Sequence, residues 1–273
     1  MLTVFAGDAF VAANKATLQV SDLAIQRGYG IFDFFKTLDG KPIFLEDHLD
    51  RFFHSAAQLR LDIGRTRDEL RLIIHELQEA NRIPDSGIRI TLTGGYSPDG
   101  YSLARPNLII TQQPLQVTVT EDLPRSIRLI TWPHQRQMPD VKTIDYLMAI
   151  WLQPHIRDNG ADDVLYYRDG LISECPRSNF FIVTPNDTVV TPYRHILKGI
   201  TRIKLLEIAG LRYRVEQRDL HLDELKTAKE AFITSTTRQV VPVVQVDKQI
   251  IGGGASGKIS RWLNNELYRL ARS

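Results

Sequence analysis

Ser173-Glu174-Cys175-Pro176-Arg177-Ser178-Asn179 is the stretch on which the reading of this chain turns. It places an acid, Glu174, on what reads as a hairpin strand. Upstream, Lys142 stands at the head of a predicted amphipathic helix whose apolar face carries Ile144, Leu147, Met148, Trp151 and Leu152. Downstream, Gly199-Ile200-Thr201 is a turn that opens a further predicted helix. Amine, carboxylate and helix N-terminal amides, in that order, make one chemical outline. Such a set could hold a small group that offers a carbonyl carbon to the amine, a basic nitrogen to the acid and a phosphate to the amides.

Outward from this stretch the pattern alternates between strand and helix. Val164-Leu165-Tyr166-Tyr167, Asp169-Gly170 and Leu171-Ile172 form a hairpin signal, and Asn186-Asp187 marks a second hairpin after Phe180-Phe181-Ile182-Val183. Toward the N-terminus, Leu49, Phe52, Phe53, Ala56 and Leu59 recur at helical spacing behind Glu46 and Asp47. Leu70, Leu72, Ile73, Ile74 and Leu77 predict a second helix, ended by Asn81 and Pro84. Arg89 to Thr93 alternates with period two, Leu108 to Thr111 is a short apolar strand, and Gly94 to Gly100 between them is a loop. Periodicity fades over 112–124, which is read as a connector between an N-terminal α/β domain (1–115) and a C-terminal domain (125–273). Strand structure resumes at Ile127 to Ile130.

Composition narrows the classes. The 273 residues are 43% hydrophobic and 24% charged with a net charge of +2, so no strong field for nucleic acid exists. No apolar run approaches the ~20 residues of a membrane span. One cysteine forms no internal disulfide, which suits a reducing cytoplasm, the expected location. The seven histidines lack metal-ligand spacing, so no metal is expected. Cys175, a lone strand cysteine, is read as inert.

The ordered motifs resemble those of the class IV aminotransferases, the D-amino-acid and branched-chain group. Lys142-Thr143-Ile144-Asp145-Tyr146 is similar to that family's Lys-x-x-Asn/Asp-Tyr segment, and Ile172 through Asn179 to its Ile/Val-x-Glu-x-x-x-x-Asn strand. Leu197-Lys198-Gly199-Ile200-Thr201-Arg202 resembles the Leu-x-Gly-Ile-Thr-Arg turn. Thr234-Ser235-Thr236-Thr237 resembles the late Ser/Thr-rich turn, and His48-Leu49-Asp50-Arg51 matches as well. The resemblance implies an α/β (α+β) fold of pyridoxal-phosphate fold type IV, with a smaller N-terminal domain and a larger C-terminal domain rich in antiparallel strands. It implies pyridoxal 5'-phosphate (PLP) as cofactor and a homodimer as the working state. Lys142 is then the catalytic lysine, Glu174 the partner of the pyridine nitrogen, Tyr146 a contact of the phenolic oxygen and Leu197 the cover of the ring face. Arg51, Gly199, Ile200, Thr201, Ser235 and Thr236 serve the phosphate, and Asn179 belongs to the cofactor set. From the residues alone, Tyr146 and Leu197 read equally well as packing side chains.

Substrate recognition departs from the family pattern. The loop after the strand at 89–93 reads Gly94-Gly95-Tyr96, where D-amino-acid aminotransferases commonly place an arginine. The usual Gly-Asp-Gly-Val-Tyr/Phe-Glu segment reads Gly28-Tyr29-Gly30-Ile31-Phe32-Asp33, and Phe32 lacks the frequent hydroxyl. Arg177 and Arg27 are therefore expected to take the substrate carboxylate, with Phe32 and Thr237 completing the substrate set; ion pairs with nearby acids are the alternative use of both arginines. The expected reaction is transfer of an amino group between D-amino acids, of the D-alanine and D-glutamate type, and 2-keto acids. A branched-chain L-amino-acid aminotransferase, an aminodeoxychorismate lyase and a non-catalytic PLP-binding protein remain the alternatives.

Overall fold

The computed structural model describes residues 1–115 and 122–272. The chain divides into two compact units, Met1–Val117 with Val141–Asp145, and Thr118–Asp140 with Tyr146–Ser273. Part of the expected 112–124 connector lies outside the described residues. The return of Val141–Asp145 to the first unit has no counterpart in the sequence pattern.

The first unit is built on an antiparallel sheet ordered Ala9–Ala12, Thr3–Ala6, Leu108–Pro114, Ser86–Thr93, Gly30–Leu38, Lys41–Pro42. The helices Leu45–Gln58 and Arg67–Asn81 match the two predicted from helical spacing. The second begins on a capping box, in which Thr66 and Glu69 satisfy each other's backbone amides. Leu49, Phe52, Leu70, Ile74 and Leu77 from these helices share a core with Ile31, Phe35, Ile88 and Ile90 of the strands. Leu72, counted in the helical pattern, is exposed.

Lys142 does not head a helix. Val141–Asp145 meets the strand Gly30–Leu38 at one isolated bridge, Thr143 to Ile31: Phe32 N donates to Lys142 O at 3.0 Å and Ile144 N to Gly30 O at 3.0 Å. One edge of Gly30–Leu38 is taken by Ser86–Thr93, but the short strand Lys41–Pro42 covers the other edge only at Thr37 and Leu38. The amides near Ile31 thus find partners in 141–145, and this pairing outweighs helix propensity. The helix starts later, as Leu147–Trp151 followed by Gln153–Asp158. Leu152 is fully buried, whereas Leu147, Ile150 and Trp151 are exposed, so the expected apolar face packs only in part.

The second unit carries a mixed sheet ordered Val215–Gln217, Val189–Thr191, Ser178–Val183, Glu230–Ser235, Gln239–Val246, Ile127–Pro133, Asp163–Arg168, Leu171–Ile172, Leu220–His221. Ile127–Pro133 runs parallel to both neighbours, while the hairpins around it are antiparallel. Asp169 and Gly170 turn the predicted hairpin with φ of 51° and 78°, the left-handed geometry that Asp-Gly favours. The predicted hairpin at Asn186-Asp187 also forms, joining Ser178–Val183 to Val189–Thr191. Ile200–Gly210 is the helix opened by the Gly-Ile-Thr turn.

Candidate active site

In the first unit Lys142 lies beside Phe32, its Nζ 4.4 Å from the ring centroid. The guanidinium of Arg89 stands 4.1 Å from the same centroid. Phe32 is 5% exposed, so its π face is a low-dielectric neighbour for both cations. Lys142 N donates to Ser55 Oγ at 3.2 Å, which ties the lysine's backbone to the helix Leu45–Gln58.

Arg51 comes from that helix and meets Asp33 of Gly30–Leu38. Its Nε reaches Oδ2 and its Nη2 reaches Oδ1, both at 2.8 Å, while His48 Nδ1 lies 2.7 Å from Oδ1. Asp33 is fully buried. Burial alone raises its carboxyl; the charge and hydrogen bonds of Arg51, with those of His48, outweigh it and hold the group well below the usual carboxylate range. For His48, burial is the largest influence and lowers its basicity; Asp33 opposes, and the charges of Arg51 and Lys142 add to the lowering. Because the ionised Asp33 can only accept, the His48 Nδ1 proton points at it. Asp33 and His48 lie within motifs quoted above but are absent from the expected site residues. The signal is an acid beside the glycine segment, and its partner three residues before Arg51.

In the second unit, sequence-distant motifs meet across neighbouring strands. Glu174 pairs with Asn179, and Asn179 with Thr234, so the acid, the asparagine and the base of the Ser235–Thr237 turn stand in one row. Asn179 Nδ2 donates to Leu197 O at 2.7 Å, and its Oδ1 accepts from Gly199 N at 3.2 Å. Asn179 therefore clamps the Leu-Lys-Gly-Ile-Thr turn. Glu174 Oε2 accepts from Leu197 N at 3.0 Å, and Oε1 from Arg136 Nε at 2.8 Å. Arg136, six residues before Lys142, carries no sequence signal and is missing from the expected set.

These residues fit a phosphate-bearing ring. A Cβ at Gly199 would come 2.3 Å from Asn179 Oδ1, so only glycine lets the backbone pass the clamp. No side chain among the described residues caps the helix Ile200–Gly210, leaving its first amides directed outward at the positive end of the helix dipole. Thr234 Oγ1, buried without a hydrogen-bond partner among the described residues, sits one position before Ser235. Ser235 Oγ accepts from Arg238 N and shapes the turn that holds Thr236 and Thr237.

The remaining candidates are placed as follows. Arg177 is the second residue of the two-residue turn between Glu174–Cys175 and Ser178–Val183, and it is exposed. Arg27 ends the short helix Leu23–Arg27, also exposed, with Nη1 donating to Gln26 O at 3.0 Å. Neither forms an ion pair among the described residues, so the alternative use of both arginines is absent there. Tyr146 is the residue before the helix Leu147–Trp151 and is half-buried, as is Leu197. Burial pushes the Cys175 thiol well above its usual range, which fits an inert side chain.

The comparisons with known proteins supply the class. Residues 30–246 match the family model described as amino-transferase class IV, and the chain belongs to that family. It is 29% identical to the D-alanine aminotransferase of Bacillus licheniformis, over 93% of this chain and 92% of that protein. It is 31% identical to a Methanocaldococcus jannaschii protein provisionally named a branched-chain-amino-acid aminotransferase, over 97% of this chain and 95% of that one. Its fold is similar to that of the T.th. branched-chain amino acid aminotransferase, solved with pyridoxamine 5'-phosphate, with a TM-score of 0.89 and 24% identity over 99% of this chain and 94% of that one.

Proposed function

We propose that this aminotransferase uses PLP to move amino groups between D-amino acids, of the D-alanine and D-glutamate type, and 2-keto acids. The observation that carries the cofactor reading is the hydrogen-bonded row Glu174–Asn179–Leu197–Gly199 ahead of an uncapped helix. D-alanine aminotransferases among the relatives, together with the Ser235-Thr236-Thr237 turn, support the D-amino-acid choice. The branched-chain relatives favour a second reading, in which L-amino acids with apolar side chains are the donors.

The cofactor supplies an aldehyde that accepts the amino group and a ring that withdraws electrons from the substrate's alpha carbon. Lys142 would supply the amine that holds it and would carry the proton at Nζ. Glu174 would accept from the ring nitrogen and keep it protonated. Leu197 would cover the ring and Tyr146 would serve its phenolic oxygen. The Ile200 and Thr201 amides, with Ser235 and Thr236, would receive the phosphate, and Arg51, oriented through Asp33, would supply a cation for it. Arg177 and Arg27 take substrate carboxylates, alongside Phe32 and Thr237.

A homodimer is part of this proposal: the exposed apolar residues Leu147, Ile150 and Trp151 suit burial against a second copy. No helix among the described residues is long and apolar enough to cross a membrane. The deciding experiment is a half-reaction panel in which the PLP-loaded protein meets D- and L-alanine, D- and L-glutamate and L-leucine. Conversion by the D-amino acids alone is expected; conversion only by L-leucine and L-glutamate would establish the branched-chain reading instead.

A further inference from the structure

Arg136 occupies a position that the assignments above leave without a role. Its side chain is 17% exposed and that of Glu174 is 6% exposed. One nitrogen, Nε, donates to Glu174 Oε1 at 2.8 Å, and another, Nη2, donates to the carbonyl of Pro139 at 2.5 Å. A single guanidinium thus joins the buried acid to the chain three residues before Lys142. The fork geometry of arginine permits both contacts at once, which a lysine ammonium on a single stem does not reproduce.

A buried carboxylate is unstable as an ion unless a cation or donors compensate it. Other groups also bear on the Glu174 carboxylate. Leu197 N donates to Oε2. Arg202, on the helix Ile200–Gly210, is a second nearby cation, pushed down to about 10 by burial against the opposing charge of Glu174. Tyr166 and Cys175 are each held neutral by burial and by the negative charges of Asp163 and Glu174, with Arg136 opposing at Tyr166 and Arg238 at Cys175. Arg202 Nη2 donates to Pro192 O and Gln217 Oε1, whereas Arg136 Nε donates to the acid itself.

We propose that Arg136 is the positioning residue that keeps Glu174 ionised and aimed, and that couples it to the segment leading into Lys142. This rests on the reading of Glu174 as the partner of the cofactor's ring nitrogen. Arg136 acts through Glu174 and not on the reacting groups themselves. Without it, the buried carboxyl takes up a proton at a pH nearer neutrality and ceases to act as an acceptor for the ring.

The test is a titration of the PLP-loaded protein from about pH 5 to pH 9, reading the bound cofactor's absorbance and kcat together. Wild-type protein is expected to show no acidic transition linked to Glu174. Arg136→Gln is expected to gain one in both signals, with kcat falling about tenfold per pH unit below it, as for a single-proton ionisation. Arg136→Lys, which restores charge, should remove most of that acidic fall. In a Glu174→Gln background, Arg136→Gln should add no pH dependence. A folded Arg136→Gln protein with the wild-type profile would overturn the proposal while leaving the PLP reading intact. Failure of wild-type protein to take up PLP would instead remove both. Should Arg136→Gln not fold, the charge-balanced Arg136→Gln/Glu174→Gln variant decides. Its folding would show that the unpaired acid was the fault, and its failure would make Arg136 a packing residue and overturn the proposal.

Discussion

Two carboxylates, Asp33 and Glu174, each meet an arginine in the shelter of the fold, yet the two pairs are built differently. Asp33 is gripped by both Nε and Nη2 of Arg51, by His48 Nδ1 and by the amide of Phe34. Glu174 receives Arg136 through Nε, with Leu197 N on the other oxygen. On the roles proposed above, the acid of the first pair would hold and the arginine, projecting from a helix, would be the working group. In the second the proposed roles reverse: the arginine would hold and the acid would work.

The largest expected effect lies beside the first pair. Lys142→Ala should lower transamination by at least about a thousandfold, as expected for loss of an essential proton carrier, with thermal unfolding unchanged. Ordinary turnover in that variant would dissolve the link between the first unit and the chemistry.

Asp33→Asn removes the holder and leaves Arg51 buried beside a neutral amide. A loss of about 3–5 kcal/mol in stability is expected, measured by denaturant unfolding at neutral pH, with weaker PLP uptake by whatever protein folds. The sign with pH follows from its lowered folded value. Asp33's stabilisation is present in full above about pH 4, where the unfolded carboxyl is ionised, and fades as pH falls toward the folded value. Asp33→Asn should therefore lose its disadvantage progressively in strong acid. A disadvantage independent of pH would mean that packing, not charge, makes the pair.

Lys36 sharpens the comparison as a buried cation with no fork and, among the described residues, no ion pair to an acid. It lies on the strand Gly30–Leu38, is 4% exposed, and is pushed down to about 8 by burial. Below that value folding leaves a charged amine buried; between about 8 and 10.5 the folded state alone sheds the proton, so stability rises with pH. Lys36→Met should stabilise the protein at pH 7 by on the order of 3 kcal/mol at most, the gain shrinking as pH climbs past 8. A gain that persisted unchanged at about pH 10.5 would show that the cost of Lys36 lies in packing and not in its charge.

The smallest effects are expected at the exposed arginines. Arg177→Ala should raise KM for alpha-amino acids roughly tenfold, and Arg27→Ala less, with cofactor absorbance retained. Normal D-alanine and D-glutamate kinetics in Arg177→Ala would transfer the carboxylate to the 235–237 turn.

The two pairs also differ in how far the sequence discloses them. Glu174 sits in a motif with fixed spacing to Asn179, and that spacing is a strand register: Glu174 and Asn179 face each other across a hairpin with a two-residue turn. Local rules reach that far. Helices at 45–58 and 67–81 and the Asp169-Gly170 hairpin are legible for the same reason, since each rests on neighbours in the chain. Arg136 is not legible, because its partner is 38 residues away and nothing in Gln135-Arg136-Gln137 marks it. Lys142 shows a subtler failure. Its identity is readable, but its local structure is set by a vacant strand edge at Ile31, a tertiary fact that helical periodicity does not carry.

Lys142 and Lys36 offer the most direct trial, because both are lysines of the first unit and only one is assigned to the cofactor. PLP-loaded protein can be treated with borohydride, digested, and searched by mass spectrometry for the lysine that retains the phosphopyridoxyl group. The group is expected on Lys142; finding it on Lys36, or on no lysine at all, would contradict that assignment.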